Sequence, residues 1–455
     1  VSLGNALIDM YAKFGLMAKA EGVFESLQTF RNEVSWNTLI GGYSQNGFCE
    51  EALRYFEQMQ RGGFSPNNVT FLYILKACGR IQAVDKAREI HDQIMRTGLL
   101  GKDVSIGTAL VGMYAECGDL VKAQEVFDEL PIKDVVSWTT LIAGYTQQGD
   151  GEKALNCFKE MQKMSVSANP IAYLSILKAC GSIGAINMGK EIHAQIAKEG
   201  LIQKDIMIGN ALVDMYAKCG VLVKAQEVFD ELPMPDVVSW NVLIAGFHMH
   251  GEEALNLFKQ MQHKSLSPDA FTFVIVLKAC GSIGALHQGI ELHAIIASSG
   301  INHKYTLYGN GTSEQKDTLL IGNALIGMYT NCGALSKAQQ IFDCLETPDV
   351  VSWTTLIAAY SRVGKDKKVV DLFEKMIGEG IESDLVTFTV VLNACSHLAL
   401  LDKAQIYFES MSTRCGFMPT QEHHSCMVDL FGRAGHFDKV VTMIVRMPMH
   451  DYLPM

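Results

Sequence analysis

Four stretches of the chain read almost alike: SWNTLIGGY at residues 35–43, SWTTLIAGY at 137–145, SWNVLIAGF at 239–247 and SWTTLIAAY at 352–360. They hold all four tryptophans, and Trp36, Trp138, Trp240 and Trp353 follow one another at intervals of 102, 102 and 113 residues. A second motif, LKAC or LNAC, ends at Cys78, Cys180, Cys280 and Cys395. A third, GxALxxMY, ends at Tyr11, Tyr114, Tyr216 and Tyr329. Self-similarity at a fixed period marks a repeat architecture. Here a super-period of 102 holds three unlike units of 35, 36 and 31 residues.

Aligned on these motifs, the chain divides into units 1–32, 33–67, 68–103, 104–134, 135–169, 170–205, 206–236, 237–269, 270–318, 319–349, 350–384, 385–420 and 421–451, with a tail at 452–455. Unit 237–269 lacks two residues near Gly251. Unit 270–318 carries about 13 extra near His303 to Gln315, a stretch without helical period that reads as an exposed loop. Each unit reads as two helices. In 135–169, Trp138, Leu141, Ile142 and Tyr145 share one face of a first helix. Gly149 and Gly151 interrupt the pattern, and Ala154, Leu155, Phe158 and Met161 form the apolar face of a second. Seven prolines, at 66, 131, 233, 268, 348, 419 and 448, lie near unit ends, where they break no helix interior. A lone hairpin cannot bury its stripe, so neighbours must stack. The expected fold is all-α: a right-handed α-solenoid superhelix of about 13 helix-turn-helix repeats, with the Trp, Tyr and Met stripes as core.

Composition narrows the function classes. A chain of 455 residues that is 48% hydrophobic and 19% charged, with 10 Pro and 40 Gly, is neither disordered, collagenous nor a small disulfide scaffold. A net charge of −11 excludes a uniformly basic nucleic-acid surface and leaves room for a local basic stripe. No uncharged apolar run is long enough to span a membrane. The start at Val1 reads as a fragment, so a missing targeting peptide carries no information. None of the 12 Cys falls in a CxxC, and seven recur at repeat offsets, which suggests buried small groups of an intracellular protein rather than metal or redox sites.

Catalytic motifs are missing from the sequence. His250-Gly251-Glu252 matches the HxE of zinc deaminases, but no PCxxC accompanies it. His423 and His424 have no partners at metal-ligand spacing, and no phosphate-binding glycine loop occurs. No enzyme activity, metal or cofactor is expected.

The cycle of 35, 36 and 31 residues, the VVSWNTLI-type unit starts and the ALxxFxxM second helices resemble a pentatricopeptide repeat protein of the plant PLS subclass. Tetratricopeptide repeats, protein-binding scaffolds of nearly constant 34-residue period, are the alternative. On the resemblance, P-type units are 33–67, 135–169, 237–269 and 350–384. The L-type units are 68–103, 170–205, 270–318 and 385–420, and the S-type units are 1–32, 104–134, 206–236, 319–349 and 421–451. The last two look like the family's terminal variants, which precede E and DYW extensions; the chain stops at Met455, so these are expected to be truncated or lacking.

The resemblance implies sequence-specific binding of single-stranded organellar RNA, one repeat per base. Its base readers fall on the fifth residues of P and S units, Asn5, Asn37, Thr108, Thr139, Asn210, Asn241, Asn323 and Thr354. Each is paired with a unit's last residue, Asn32, Asn67, Asp134, Asn169, Asp236, Asp269, Asp349 or Asp384. Only Asn or Thr occurs in the first set and only Asn or Asp in the second. The competing reading is that these residues merely cap helices and end loops. By the family's code the string becomes C, C, any, G, A, any, U, U, any, U, G, with Leu72, Leu174 and Val274 leaving the L units silent. Val34, Val136, Val238 and Val351, with Val69, Ile171, Phe271 and Val386, would stack on bases or equally serve as inter-repeat core. Lys13, Lys218, Arg80 and Arg362 share an offset suited to phosphate; Glu116, Ser182, Ser282 and Met249 hold it elsewhere, so phosphate contacts are expected to be weak. The implied role is target recognition for C-to-U editing in a mitochondrion or chloroplast, with a separate deaminase or editing-complex protein as partner and no membrane. The alternatives are a protein-binding scaffold, or an active deaminase whose C-terminal domain is missing here.

Overall fold

The computed structural model describes residues 1–100, 103–298 and 313–447, with no side-chain detail at 313–316. Among the described residues there are 26 α-helices, one 3-10 turn and no strand. Contacts divide the chain into two bodies, 1–234 and 235–455.

The first body holds seven hairpins: α1 (Ser2–Lys13) with α2 (Met17–Ser26), α3 (Glu33–Gln45) with α4 (Cys49–Arg61), α5 (Asn68–Arg80) with α6 (Val84–Thr97), α7 (Val104–Glu116) with α8 (Leu120–Glu129), α9 (Val135–Gln147) with α10 (Gly151–Lys163), α11 (Pro170–Ile183) with α12 (Ile186–Glu199), and α13 (Ile206–Lys218) with α14 (Leu222–Asp230). The second holds six: α15 (Val237–Gly246) with α16 (Gly251–His263), α17 (Ala270–Ser282) with α18 (Leu286–Ser298), α19 (Ser313–Asn331) with α20 (Leu335–Asp343), α21 (Val350–Arg362) with α22 (Asp366–Gly378), α23 (Leu385–His397) with α24 (Leu401–Thr413), and α25 (Gln421–Arg433) with α26 (Phe437–Arg446). Within each body every first helix packs on the first helix of the next hairpin, the stacking expected of an α-solenoid. Of the insertion expected at 303–315, residues 303–312 lie outside the described ones; 313–315 open α19 rather than continue a loop.

The tryptophans show why no hairpin stands alone. Trp138 of α9 is buried edge-on against Phe127 of α8, at 4.6 Å between ring centroids. Trp36 meets Phe24 and Trp353 meets Phe342 in the same way, at 4.8 and 4.6 Å. Each ring thus sits on the hairpin before its own, and truncation to Ala would cost about 3–5 kcal/mol. The turn from α9 to α10 passes through Gly149 at φ +83°, where a side chain would be strained.

Cys78, Cys180, Cys280 and Cys395 are fully buried, and burial pushes the first three thiols up to about 12. Cys117, Cys219 and Cys332 correct the expectation of burial. They stand half-open just past the ends of α7, α13 and α19, each thiol directed at a buried cysteine's carbonyl one repeat earlier, at 3.7–3.8 Å.

One periodic contact was not anticipated. His91 Nδ1 pairs with Tyr114 Oη, His193 with Tyr216 and His293 with Tyr329, each at 2.9 Å. Burial first, then a nearby lysine (Lys122, Lys224 or Lys337), lowers all three imidazoles below their ordinary pKa of 6.5. A lowered folded pKa means the unfolded chain takes up protons first as pH falls. Stability from these groups is therefore complete above about pH 6.5 and is lost as pH drops through the lowered folded value. Thermal melts taken from about pH 7.5 to about pH 5.5 should show a falling Tm, and replacing all three by Gln should shrink that fall. An unchanged slope in the triple variant would show that other groups govern it.

Candidate nucleic-acid interface

The eight unit-ending residues are all helix N-caps. Asn32, Asn67, Asp134, Asn169, Asp236, Asp269, Asp349 and Asp384 precede α3, α5, α9, α11, α15, α17, α21 and α23 in extended backbone. Each side chain accepts the N–H three residues on, at 2.7–3.1 Å. The capping reading is therefore correct, and it is incomplete. Four of these caps also accept a hydrogen bond from the fifth residue of the same unit.

Asn5 Nδ2 donates to Asn32 at 3.4 Å, Asn37 to Asn67 at 3.1 Å, Asn241 to Asp269 at 3.1 Å and Asn323 to Asp349 at 3.0 Å. Thr139 Oγ1 donates to the Val135 carbonyl of its own helix at 2.6 Å and stands 3.2 Å from Asn169 Oδ1. Thr354 reaches Asp384 through the hydroxyl of Thr387, in steps of 2.5 and 2.6 Å. Thr108 breaks the pattern: its hydroxyl is buried and meets no partner. Asn210 is buried in the first body and Asp236 begins the second. Asn37, Thr139, Asn210 and Asn241 are buried, the last only 4% exposed, and the other four fifth residues half-buried, while the caps are at least partly open to solvent.

Two residues after each cap stands an apolar side chain. Val34, Val136, Val238 and Val351 are 53–56% exposed, and Val69, Ile171, Phe271 and Val386 are likewise exposed. They are not inter-repeat core. Met207 and Leu320 are exposed at the same register of S-type units, which the sequence reading missed although their place after the unit start was visible. A ladder of apolar side chains set beside polar pairs offers flat faces to a flat apolar partner. In the second body a cleft of about 540 Å³ opens at one such step, lined by Leu320, Asn323, Asp349 and Val351 together with Val274 and Lys278.

The four candidate phosphate cations end their helices, and each is already engaged. Lys13 pairs with Asp9 and Lys218 with Asp214, both at 2.7 Å. Arg80 donates to the Ser44 carbonyl at 2.8 Å and Arg362 to Asn331 Oδ1 at 2.9 Å. Glu116, at the same offset, is held above the usual carboxylate range by burial, against the pull of Arg80. Among the described residues no group of three or more His, Cys, Asp or Glu could hold a metal, and no helix is long and apolar enough to cross a membrane. His423 is consumed by a cap, hydrogen-bonded to Thr420 at 2.7 Å.

Comparison with known proteins agrees with this arrangement. The PPR repeat family matches residues 31–80, 133–182, 235–282 and 348–397, and the PPR repeat matches 5–31, 108–135, 210–234, 386–415 and 422–452. A mitochondrial pentatricopeptide repeat-containing protein of Arabidopsis thaliana is 34% identical over 447 residues, 98% of this chain and 63% of that protein. A chloroplastic one from the same plant is 33% identical over 447 residues, 98% of this chain and 53% of its own length. The chain thus spans between half and two thirds of these relatives. The crystal structure of the maize pentatricopeptide repeat protein PPR10 shares the fold, with a TM-score of 0.61 at 21% identity over 97% of this chain and 68% of that one.

The geometry separates structural from surface residues at each step. Val238→Ser with Val351→Ser should leave Tm within about 2 °C, because exposed side chains contribute within about 0.5 kcal/mol. Asp269→Ala should cost about 1 kcal/mol or more, since it removes a cap and strips Asn241 of its partner. Thermal melts of both variants decide it; a valine pair as costly as the cap would mean that the ladder packs.

Proposed function

The chain belongs to the pentatricopeptide repeat family, and from that premise we propose that it is a sequence-specific single-stranded RNA-binding protein of a plant mitochondrion or chloroplast. The supporting observation is the recurrence, repeat after repeat, of a polar fifth-residue and cap pair beside an exposed apolar side chain. A base stacked between successive apolar side chains would bring its Watson–Crick edge to one such pair. The pairs differ in what they offer. A capping Asp supplies acceptors only, whereas a capping Asn whose oxygen is taken by the helix keeps an N–H₂ donor. Uracil carries an N3–H donor between two keto acceptors; cytosine has an acceptor at N3. Asn with Asp therefore suits U, and Asn with Asn suits C.

The repeats 1–32 through 421–451, read as S, P and L types, give the string C, C, any, G, A, any, U, U, any, U, G from N- to C-terminus, 5′ to 3′, with the last two repeats unassigned. We assign its use to target recognition for C-to-U editing, with the deamination performed by a separate protein. A peptide scaffold of tetratricopeptide type would need no restriction of the fifth residues to Asn and Thr.

Changing one pair tests the reading. Unit 135–169 pairs Thr139 with Asn169, an A reader by the family's code. Thr139→Asn with Asn169→Asp recreates the pair of unit 237–269 and should move the fifth base from A towards U by about 5- to 150-fold, the usual cost of a mismatched base. Competition gel shifts with RNAs varied at that base measure it; identical rankings for parent and variant would reduce these residues to caps. Incubated with string RNA and zinc, the purified chain should leave cytidine intact, since no HxE and PCxxC pair occurs in its 455 residues. Conversion above a heat-killed control would assign the chemistry to this chain.

A further inference from the structure

Four of the five fifth-position asparagines share a third partner, the hydroxyl three residues after the cap; the buried Oδ1 of the other, Asn210, has no partner. Ser35 Oγ lies 2.7 Å from Asn5 Oδ1, Thr70 Oγ1 2.5 Å from Asn37 Oδ1, Thr272 Oγ1 2.6 Å from Asn241 Oδ1 and Ser352 Oγ 2.5 Å from Asn323 Oδ1. The same hydroxyls lie farther from the cap oxygens, at 2.9, 3.1, 2.7 and 2.9 Å. A hydroxyl has one proton, and in all four cases the shorter contact is to the asparagine. All four hydroxyl residues are fully buried. Where the fifth residue is Thr the arrangement varies: Thr387 Oγ1 keeps the contact, 2.5 Å from Thr354 Oγ1, and lies 2.6 Å from the Asp384 cap. Ser137 Oγ turns to the Asp134 carbonyl at 2.9 Å, and unit 170–205 has Ala172 at this place.

The consequence for the amide follows by counting. Its oxygen accepts the hydroxyl proton, and one N–H goes to the cap. Turning the amide over would set its oxygen against the cap oxygen, acceptor against acceptor. One N–H donor remains for a ligand, beside an oxygen that is held on the buried hydroxyl by one of its two lone pairs.

We propose that Ser35, Thr70, Thr272 and Ser352 are positioning residues for recognition: each hydroxyl withholds the asparagine oxygen and leaves its single N–H to face a base. This rests on the RNA-reading proposal above. Without the hydroxyl, the oxygen is a free acceptor that can turn to the amino group of cytosine or adenine, so at the steps read as U, those of Thr272 and Ser352, the preference for the keto base is lost.

The test uses the full chain and string RNAs carrying U or C at the eighth base, read by Asn241 and Asp269. Thr272→Val keeps volume and removes the hydroxyl; the U-over-C ratio should fall about fivefold or more, while Thr272→Ser restores it. A merely structural hydroxyl would lower Tm and weaken both RNAs alike, and an unchanged ratio in a folded variant overturns the inference. Asn241→Ala separates the two proposals. If it abolishes the ratio while Thr272→Val does not, only the positioning role is wrong; if it too leaves the ratio unchanged, base reading itself fails. A gain-of-function arm avoids any folding defect. In the Thr139→Asn, Asn169→Asp background, adding Ala172→Thr should raise U-over-C discrimination at the fifth base about fivefold. No gain there also overturns it.

Discussion

Each P- and L-type repeat begins just after an Asn or Asp N-cap, and this one constraint ties the fold to the site. The first helix of a hairpin leaves its leading N–H groups without partners, and burial in a stack makes that costly. A short side-chain acceptor is therefore required at a fixed place in each repeat, and the stack sets that place beside the fifth residue of the helix before. Asn and Asp cap almost equally well. Stability is nearly indifferent between them, yet they differ in whether a donor is left over. Asn67 and Asp269 perform the same structural task with different chemistry on display. Asn and Thr have similar helix propensity, so the fifth position has the same latitude. Recognition can vary along such a chain without disturbing the fold that presents it.

The hairpins were legible because apolar residues recur at 3.6 intervals and glycines and prolines fall between them. The caps were legible as caps or as readers. The choice was undecidable from residue type, since Asn37 bonds to Asn67 at the far end of the same unit, 30 residues on, which no local pattern encodes. The valines two residues past the caps were harder still. Val136 and Ile142 are both β-branched residues of one helix, and only the angle at which neighbours stack exposes the first and buries the second. The histidines went unread because a single His in an apolar helix has no distinguishing mark. Their link to the GxALxxMY tyrosines appears once the repeats are overlaid, and the final pair of units bears it out by carrying Phe408 and Phe431 at the two places.

The cations carry the remaining lesson. Position alone marked Lys13, Arg80, Lys218 and Arg362 as phosphate ligands, but each is held by a carboxylate, a carbonyl or an amide of its own helix or a neighbouring one. The chain is acidic overall, at −11. Affinity for a polyanion from released counterions scales with the number of phosphates neutralised, and none of the four cations at this offset stands unengaged. On the proposed reading this is an advantage. Backbone attraction is blind to sequence and raises binding to every RNA alike, so a surface with little of it leaves the ranking of targets to the amides, hydroxyls and carboxylates of the fifth-residue and cap pairs. Those groups act only at hydrogen-bond range, which is why their orientation, fixed by a hydroxyl that no ligand touches, matters more to selectivity than the charge around them.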